Sequence, residues 1–234
     1  TQALHKPEWA RQLTSIHIKR DDQIHSVISG NKARKLLHLI QNIKHSKPEH
    51  LLTMGGNRSN FLHALAYFCD QEEITLSAFI RGEPPKHYGQ TLQDLCNWNT
   101  QLHIVERQEF QRLRSDKAYA DRLAEAHSAQ WLPEGGSDAQ ALQGIIQAVA
   151  ELEKQPDTLF VPVGTGCTAL GLAIGLEQRG WNTHVIGVVV LKGADGKDGI
   201  EQDISTLAHD AGFKLPSNLH LEHRFCGKGF GKQS

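Results

Sequence analysis

Short apolar runs alternate with longer amphipathic stretches along most of this chain, and this alternation restricts the fold more than any other feature. The runs at 51–54 and 76–80 have the composition of buried strands, whereas 33–44 repeats apolar residues at helical spacing. Strands separated by helices require a parallel sheet that is covered on both faces. The sequence therefore predicts an α/β fold, with ligands at the carboxyl ends of the strands.

The same pattern places the remaining elements. The predicted strands lie at 16–19, 51–54, 76–80, 102–105, 131–132, 158–163, 184–191 and 219–225. The predicted helices lie at 33–44, 59–69, 91–98, 110–127, 138–152, 168–178 and 200–211. We expect Ser137 to cap the helix at 138–152, because a hydroxyl before the first turn can accept a hydrogen bond from a backbone N–H group.

Charge and cysteine usage exclude several classes of protein. The 234 residues carry a formal net charge of −1 with both signs interspersed, so we expect no nucleic-acid partner and no membrane partner. Nor is there an apolar run of about 18 residues that could cross a bilayer. The four cysteines form no CxxC pair, which favours reduced thiols in a cytoplasmic protein. The 14 histidines show no spacing typical of metal ligands, so no metal site is predicted.

A glycine turn at 163–171 (VGTGCTALG) follows a predicted strand and opens a predicted helix. Backbone N–H groups and the positive end of the helix dipole converge there, which is typical of an anion site. Its third glycine comes too late for the GxGxxG fingerprint of a dinucleotide-binding turn, and no Gly-Lys-Ser/Thr of a P-loop follows. The alternative interpretation is a tight connection between strand and helix, without a ligand.

A second glycine turn at 55–60 (GGNRSN) also lies between a strand and a helix. Its free N–H groups, together with a hydroxyl and an amide, suit a substrate carboxylate. The alternative is that Ser59 or Asn57 serves only as a helix N-cap.

Lys32 is the leading candidate for covalent chemistry. It lies in the segment 29–35 (SGNKARK), at the start of a helix. Burial and a neighbouring cation, Arg34 or Lys35, would favour the neutral amine that Schiff-base formation needs. The alternative is that these three cations form an ordinary solvated helix face.

Four segments together resemble the 1-aminocyclopropane-1-carboxylate deaminase/D-cysteine desulfhydrase family. They are 30–36 (GNKARKL), 55–60 (GGNRSN), 133–139 (PEGGSDA) and 163–172 (VGTGCTALGL), in the order and at the spacing of the family. The resemblance implies a pyridoxal 5′-phosphate enzyme of the tryptophan synthase β-like fold (fold type II), with two open, twisted, mostly parallel sheets flanked by helices. It implies a lyase or deaminase acting on a small amino acid, and a homodimer.

The resemblance also implies roles for individual residues. Lys32 matches the lysine that attaches the cofactor, Lys35 a neighbour of its phosphate, and Asn60 a contact to its ring. The phosphate loop is matched by Gly164, Thr165, Gly166, Cys167 and Thr168. Ser59, the second residue assigned to catalysis, matches the group that receives the substrate carboxylate, with Asn60, Phe61 and Phe230 as further substrate contacts. Residues 1–45 and 137–234 are expected to form a large cofactor-binding domain, and 46–136 a small α/β domain.

Two departures from the family keep a second interpretation open. Phe230, in the segment 227–231 (GKGFG), stands where the family has an active-site tyrosine, so it brings no hydroxyl to proton transfer. After the strand at 219–225 the sequence ends without the last helices of the family, so we expect the C-terminal part of the large domain to be incomplete. The alternative function is therefore a catalytically impaired or non-catalytic homologue that binds pyridoxal phosphate. A nicotinamide-binding protein is disfavoured, because no ribose-binding carboxylate follows the next strand.

Overall fold

The computed structural model describes residues 1–28, 30–46, 48–83, 87–190 and 198–225. Its strands are β1 (Gln2–Ala3), β2 (His17–Ile18), β3 (His50–Gly55), β4 (Thr75–Arg81), β5 (Gln101–Val105), β6 (Gln130–Leu132), β7 (Thr158–Val163), β8 (His184–Val189) and β9 (Leu219–Glu222). Its α-helices are α1 (Asn31–Ser46), α2 (Asn60–Gln71), α3 (Gln90–Asn97), α4 (Arg107–Ser115), α5 (Lys117–Ala126), α6 (Ala139–Gln147), α7 (Cys167–Gln178) and α8 (Asp198–Asp210).

Two parallel sheets organise these elements. One has the strand order β5-β4-β3-β6 and the other the order β7-β8-β9. In the first sheet Leu51 of β3 lies opposite Leu76 of β4, and in the second Thr158 of β7 lies opposite His184 of β8. The predicted α/β fold with parallel sheets flanked by helices is therefore confirmed. The strand at 16–19 is shorter than predicted, since only its middle two residues pair, and they pair antiparallel with β1.

Helix α1 packs its apolar face against the four-stranded sheet. Leu36, Leu39 and Ile43 recur at helical spacing and are buried in one cluster with Leu51 of β3 and Leu65 of α2. A second cluster joins α6, α7 and α8 to the three-stranded sheet. Because α1 also packs against α6, which belongs to the second cluster, α1 lies between the two clusters.

Two predicted helices are wrong in detail. The helix at 110–127 is two helices, α4 and α5, because Asp116 leaves helical geometry and its carboxylate accepts a hydrogen bond from the Tyr119 N–H group at 2.9 Å. The helix at 138–152 begins after Asp138, whose carboxylate caps it by accepting from the Ala141 N–H group at 2.7 Å, and its last turn is a 3-10 helix at Ala148–Glu151. Ser137 is thus not the cap, and its hydroxyl is available for a different contact.

A buried arginine fastens α1 to the segments around it. Arg34 is 9% exposed and donates to Asp21 at 2.7 and 2.8 Å and to Glu151 at 2.7 and 2.8 Å. Hydrogen bonds from Arg34 lower the pKa of Glu151 to about 2. Burial acts to raise the pKa of Asp21, but hydrogen bonds from Arg34 and Lys19 bring it below its ordinary value. Within the described ranges, no helix is both long and apolar enough to traverse a bilayer.

We predict that Arg34→Met lowers stability and flattens its dependence on acid pH. Charge-assisted hydrogen bonds of this kind contribute about 1.5–3 kcal/mol each, less where a partner is exposed. Because the folded-state pKa of Glu151 is depressed, its contribution is complete above the ordinary value of 4.5 and is lost as the pH falls towards about 2. Urea unfolding across this range measures both effects, and a slope unchanged in the variant would contradict the assignment.

Candidate active site

The first turn of α1 is joined to the first turn of α7. Gly30 has a φ of +66°, a conformation that glycine adopts without strain, and it brings the chain into α1. The Asn31 side chain then donates from Nδ2 to Thr168 Oγ1 at 2.7 Å and accepts at Oδ1 from Lys32 Nζ at 3.1 Å. One amide therefore connects Lys32 to the loop that was predicted to bind an anion.

Lys32 has an amine that loses its proton easily. Burial, together with the positive charge of Lys35 and against a smaller opposing effect of Cys167, lowers its pKa from the ordinary 10.5 to about 8. Arg34, the other cation considered from the sequence, is held by Asp21 and Glu151 instead. A substantial neutral fraction near physiological pH makes Lys32 a capable nucleophile toward an aldehyde.

Lys35 is buried at the junction of three segments, with 1% of its surface exposed. Its Nζ donates to Gly135 O at 3.0 Å, to Ser137 Oγ at 3.0 Å and, more weakly, to Thr165 Oγ1 at 3.5 Å. The two hydroxyls also bond to each other at 2.6 Å. Burial lowers the pKa of Lys35, with Cys167 and Asp138 acting in the opposite direction. Ser137, predicted to be a helix cap, is thus a ligand of this ammonium group.

The loop between β7 and α7 has the form of an anion site. Gly166 takes the N-cap position of α7 with a φ of +85°, and a Cβ there would come within 2.3 Å of Ile204 Cγ1. Gly166 has no side chain that could accept a hydrogen bond from the first N–H groups of α7, so these donors are available to a ligand. Cys167 is fully buried, and burial raises the pKa of its thiol.

A cavity of about 550 Å³ opens beside Lys32. Its walls come from the segment before α1 and from the first turns of α1 and α2, together with α3. The lining residues are Ser26, Val27, Gly30, Asn31, Lys32, Asn60, His63, Asp94 and Trp98. Of the predicted site residues, Lys32 and Asn60 line the cavity. The loop at 164–168 does not line it, but Thr168 accepts a hydrogen bond from the lining residue Asn31.

Sequence reasoning missed the wall formed by His63, Asp94 and Trp98. His63 Nε2 lies 3.0 Å from Asp94 Oδ2, and the His63 ring meets Trp98 edge-on, with centroids 4.8 Å apart. The only sequence signal is that Asn60 and His63 lie three residues apart, and so on one face of α2. Nothing in the sequence pairs α2 with α3.

The other predicted contacts lie away from the cavity lining. Ser59 is the N-cap of α2 and accepts from the Leu62 N–H group at 3.3 Å, as the alternative interpretation of this turn expected. Phe61 is 1% exposed in the core, where it packs so closely on Gly136 that a Cβ there would lie 2.2 Å from Phe61 Cε2. A direct substrate contact of Phe61 therefore finds no support in its position. Phe230 lies outside the described residues.

Comparison with known proteins identifies the family. A family model described as pyridoxal-phosphate dependent enzyme matches residues 1–223, so the chain belongs to this family. A candidate 1-aminocyclopropane-1-carboxylate deaminase of Thermotoga maritima is 30% identical over 189 residues, 77% of this chain and 60% of that protein. A D-cysteine desulfhydrase of Salmonella paratyphi B is 26% identical over 235 residues, 92% of this chain and 70% of that protein.

Solved structures agree on the fold. The crystal structure of an ACC deaminase homologue matches with a TM-score of 0.78 at 24% identity. The match covers 99% of this chain and 72% of the homologue's chain. A fungal L-serine ammonia-lyase from Rhizomucor miehei has a TM-score of 0.62 at 17% identity, covering 94% and 74%. These neighbours confirm fold type II, and the sequence relatives confirm the resemblance. The chain spans about 60–70% of the length of these two sequence relatives.

The residues present fit the cofactor of this family. Pyridoxal 5′-phosphate brings an aldehyde, which needs a neutral amine, and a phosphate, which needs N–H and cationic donors. Lys32 supplies the amine. Lys35 is a buried cation whose described hydrogen-bond partners are all uncharged oxygens or a thiol, so an anion would compensate its charge. The open N-terminus of α7 lies on the same side, because Thr165 contacts Lys35 and Thr168 contacts Asn31.

We predict that Lys32 in the cofactor-free protein reacts with a small aldehyde and borohydride with a pH midpoint near 8. Only the neutral amine attacks, so labelling rises with pH through the pKa. Lys35→Met removes one of the two lowering effects and moves the midpoint upward, while burial keeps it below 10.5. Mass spectrometry of the Lys32 peptide measures the profile, with the exposed Lys117 as the reference in the same sample. A Lys32 profile that coincides with that of Lys117 would refute the burial argument.

Proposed function

We propose that this member of the pyridoxal-phosphate dependent enzymes is a lyase or deaminase of small amino acids, in the manner of the D-cysteine desulfhydrase and the ACC deaminase named among its relatives. One observation carries the proposal. A buried lysine with a pKa of about 8 lines a cavity of about 550 Å³, and a second buried lysine marks an anion site beside it. This pair of sites suits the aldehyde and the phosphate of one cofactor.

Lys32 Nζ would attach the cofactor aldehyde, and Lys35, Thr165, Thr168 and the first N–H groups of α7 would hold the phosphate. When bound, the cofactor withdraws electrons from the α-carbon of an amino acid, which weakens the bonds to that carbon. When it is not bonded to the cofactor, Lys32 Nζ would be able to take the α-proton of a substrate as a base, because its pKa of about 8 is near neutral pH.

The N-terminus of α2 would receive the substrate carboxylate. Asn60 begins this helix and lines the cavity, and within the described ranges its side chain has no hydrogen-bond partner. Ser59 Oγ accepts from Leu62, so its own hydrogen remains available to a carboxylate. The positive end of the α2 dipole favours an anion at the same place.

The second candidate function is a catalytically impaired or non-catalytic homologue that binds the cofactor. The observation that favours it is Phe230, which has no hydroxyl where the resemblance places a tyrosine. The division into a large domain (1–45 and 137–234) and a small domain (46–136) is part of the proposal, supported by the two separate sheets. A homodimer in the cytoplasm, as expected from the sequence, completes it.

We predict that the protein incubated with pyridoxal phosphate becomes yellow and that borohydride fixes the cofactor on Lys32. Lys32→Ala abolishes the fixation, whereas Lys117→Ala, at an exposed site of equal charge, leaves it unchanged. Peptide mass spectrometry locates the modification. Release of ammonia and 2-oxo acid from D- and L-amino acids, including D-cysteine and 1-aminocyclopropane-1-carboxylate, separates the two candidate functions. Cofactor fixed at another lysine would refute the assignment.

We predict that Lys35→Met selectively weakens the binding of the phosphorylated cofactor. A charge-assisted hydrogen bond contributes about 1.5–3 kcal/mol, so the affinity for pyridoxal phosphate falls about 10- to 150-fold. Pyridoxal, which lacks the phosphate, loses less affinity, because only the upward shift of the Lys32 pKa in the variant affects it. Fluorescence titration measures both ligands, and thermal melts identify any general loss of folding. An equal loss for both ligands would place Lys35 outside the phosphate site.

A further inference from the structure

Three residues of the cavity wall are not used by the proposed function. They are His63 on α2, Asp94 on α3 and Trp98 next to α3. The side chains of His63 and Asp94 are 28% and 21% exposed, so both are partly buried yet accessible from the cavity. They share this cavity with Lys32 and Asn60.

The Asp94 carboxylate is held at both oxygens. Oδ1 accepts from Gln90 Nε2 at 2.7 Å, one turn earlier on α3, and Oδ2 faces His63 Nε2 at 3.0 Å. A carboxylate oxygen only accepts, so the proton of the neutral imidazole is on Nε2. The other ring nitrogen, Nδ1, then carries a lone pair.

The orientation of the His63 ring is fixed as well. Trp98 contacts it edge-on, and Trp98 in turn meets Tyr67 with centroids 5.3 Å apart. Within the described ranges, His63 Nδ1 has no hydrogen-bond partner. A ring held in one tautomer and one plane, with one nitrogen unused, is a preorganised acceptor.

We propose that His63, oriented by Asp94 and Trp98, is the specificity-determining residue for the substrate side chain, and that its Nδ1 accepts a hydrogen bond from a β-hydroxyl or β-thiol. The inference rests on the proposed function, since it assigns the side-chain end of that ligand. A lone pair distinguishes O–H and S–H groups from methyl or cyclopropane carbons, because only the former donate. The site thus selects amino acids of the serine and cysteine type over apolar ones of equal size.

Serine and 2-aminobutyrate form the matched ligand pair, because they differ only by a hydroxyl in place of a methyl group. Apparent dissociation constants come from the first spectral change on mixing with the cofactor-loaded protein, before turnover, for both enantiomers. One neutral hydrogen bond predicts that the better-bound enantiomer of serine binds about 3- to 10-fold more tightly than its 2-aminobutyrate counterpart. Equal binding would overturn the proposal.

Two substitutions separate recognition from a structural role. His63→Gln places an amide near Nε2 and keeps the contact to Asp94, whereas His63→Asn places one near Nδ1 and loses that contact. We expect His63→Gln to abolish the serine preference with little loss of thermal stability, and His63→Asn to retain part of the preference at lower stability. If His63→Gln instead retained the serine preference and His63→Asn lost it, His63 would only join α2 to α3. His209→Gln, at an exposed histidine, is the control.

Nitrogen NMR of the labelled, cofactor-free protein reports the tautomer of the His63 ring directly. We expect His63 in the Nε2–H form, with an Nδ1 signal that moves on titration with serine and not with 2-aminobutyrate. If no cofactor attaches to Lys32, the proposed function fails, and this titration alone decides the inference. An Nδ1–H form, or a response to both ligands, would overturn it while leaving cofactor attachment intact.

Discussion

The buried ammonium group of Lys35 is the constraint on which the rest of the site depends. It joins α1 to the segment after β6 through Gly135 and Ser137, and to the loop after β7 through Thr165. A buried ammonium group is costly without hydrogen-bond partners, and a donor left unpaired costs about 1–3 kcal/mol or more, so the three segments keep fixed positions around it. Since its described partners are uncharged, the group also retains the ability to neutralise an anion. The same contact therefore fixes the fold and places a cation at the proposed anion site.

Three cations of one helical turn have three different roles because of their positions on α1. Lys32 and Lys35 are three residues apart and lie on one face, so the charge of Lys35 acts on Lys32 and favours its neutral form. Arg34 lies on a different face and forms ion pairs with Asp21 and Glu151. Burial separates them further, because it lowers the pKa of both lysines and leaves the paired Arg34 fully ionised.

The sequence predicted what is local and missed what depends on packing. Strands and helices could be predicted because their apolar residues recur with a characteristic period. The glycine turn at 163–171 lies between a strand and a helix as expected, because the glycines and hydroxyl residues that form it are neighbours in sequence. Asp116 and Asp138 were missed as helix N-caps. Residues that could cap the same helix lie one residue or a few residues apart, and only the final backbone geometry selects one of them. The contact of His63 with Asp94 joins residues 31 positions apart on two helices, and helical periodicity carries no information on such a pair.

The cavity wall limits the ligand that the proposed function would bring there. Asn31 lines it and bonds to Thr168 and Lys32, and His63, Asp94 and Trp98 form the part of the wall that comes from α2 and α3. Because the Asn60 and His63 side chains leave α2 one turn apart, a ligand whose carboxylate meets the start of this helix has room for only a short side chain before the imidazole. A long side chain would have to displace Trp98, which is packed against both His63 and Tyr67. If an amino acid binds in this way, the spacing of one helical turn restricts the size of its side chain, and the tautomer that Asp94 imposes restricts its polarity.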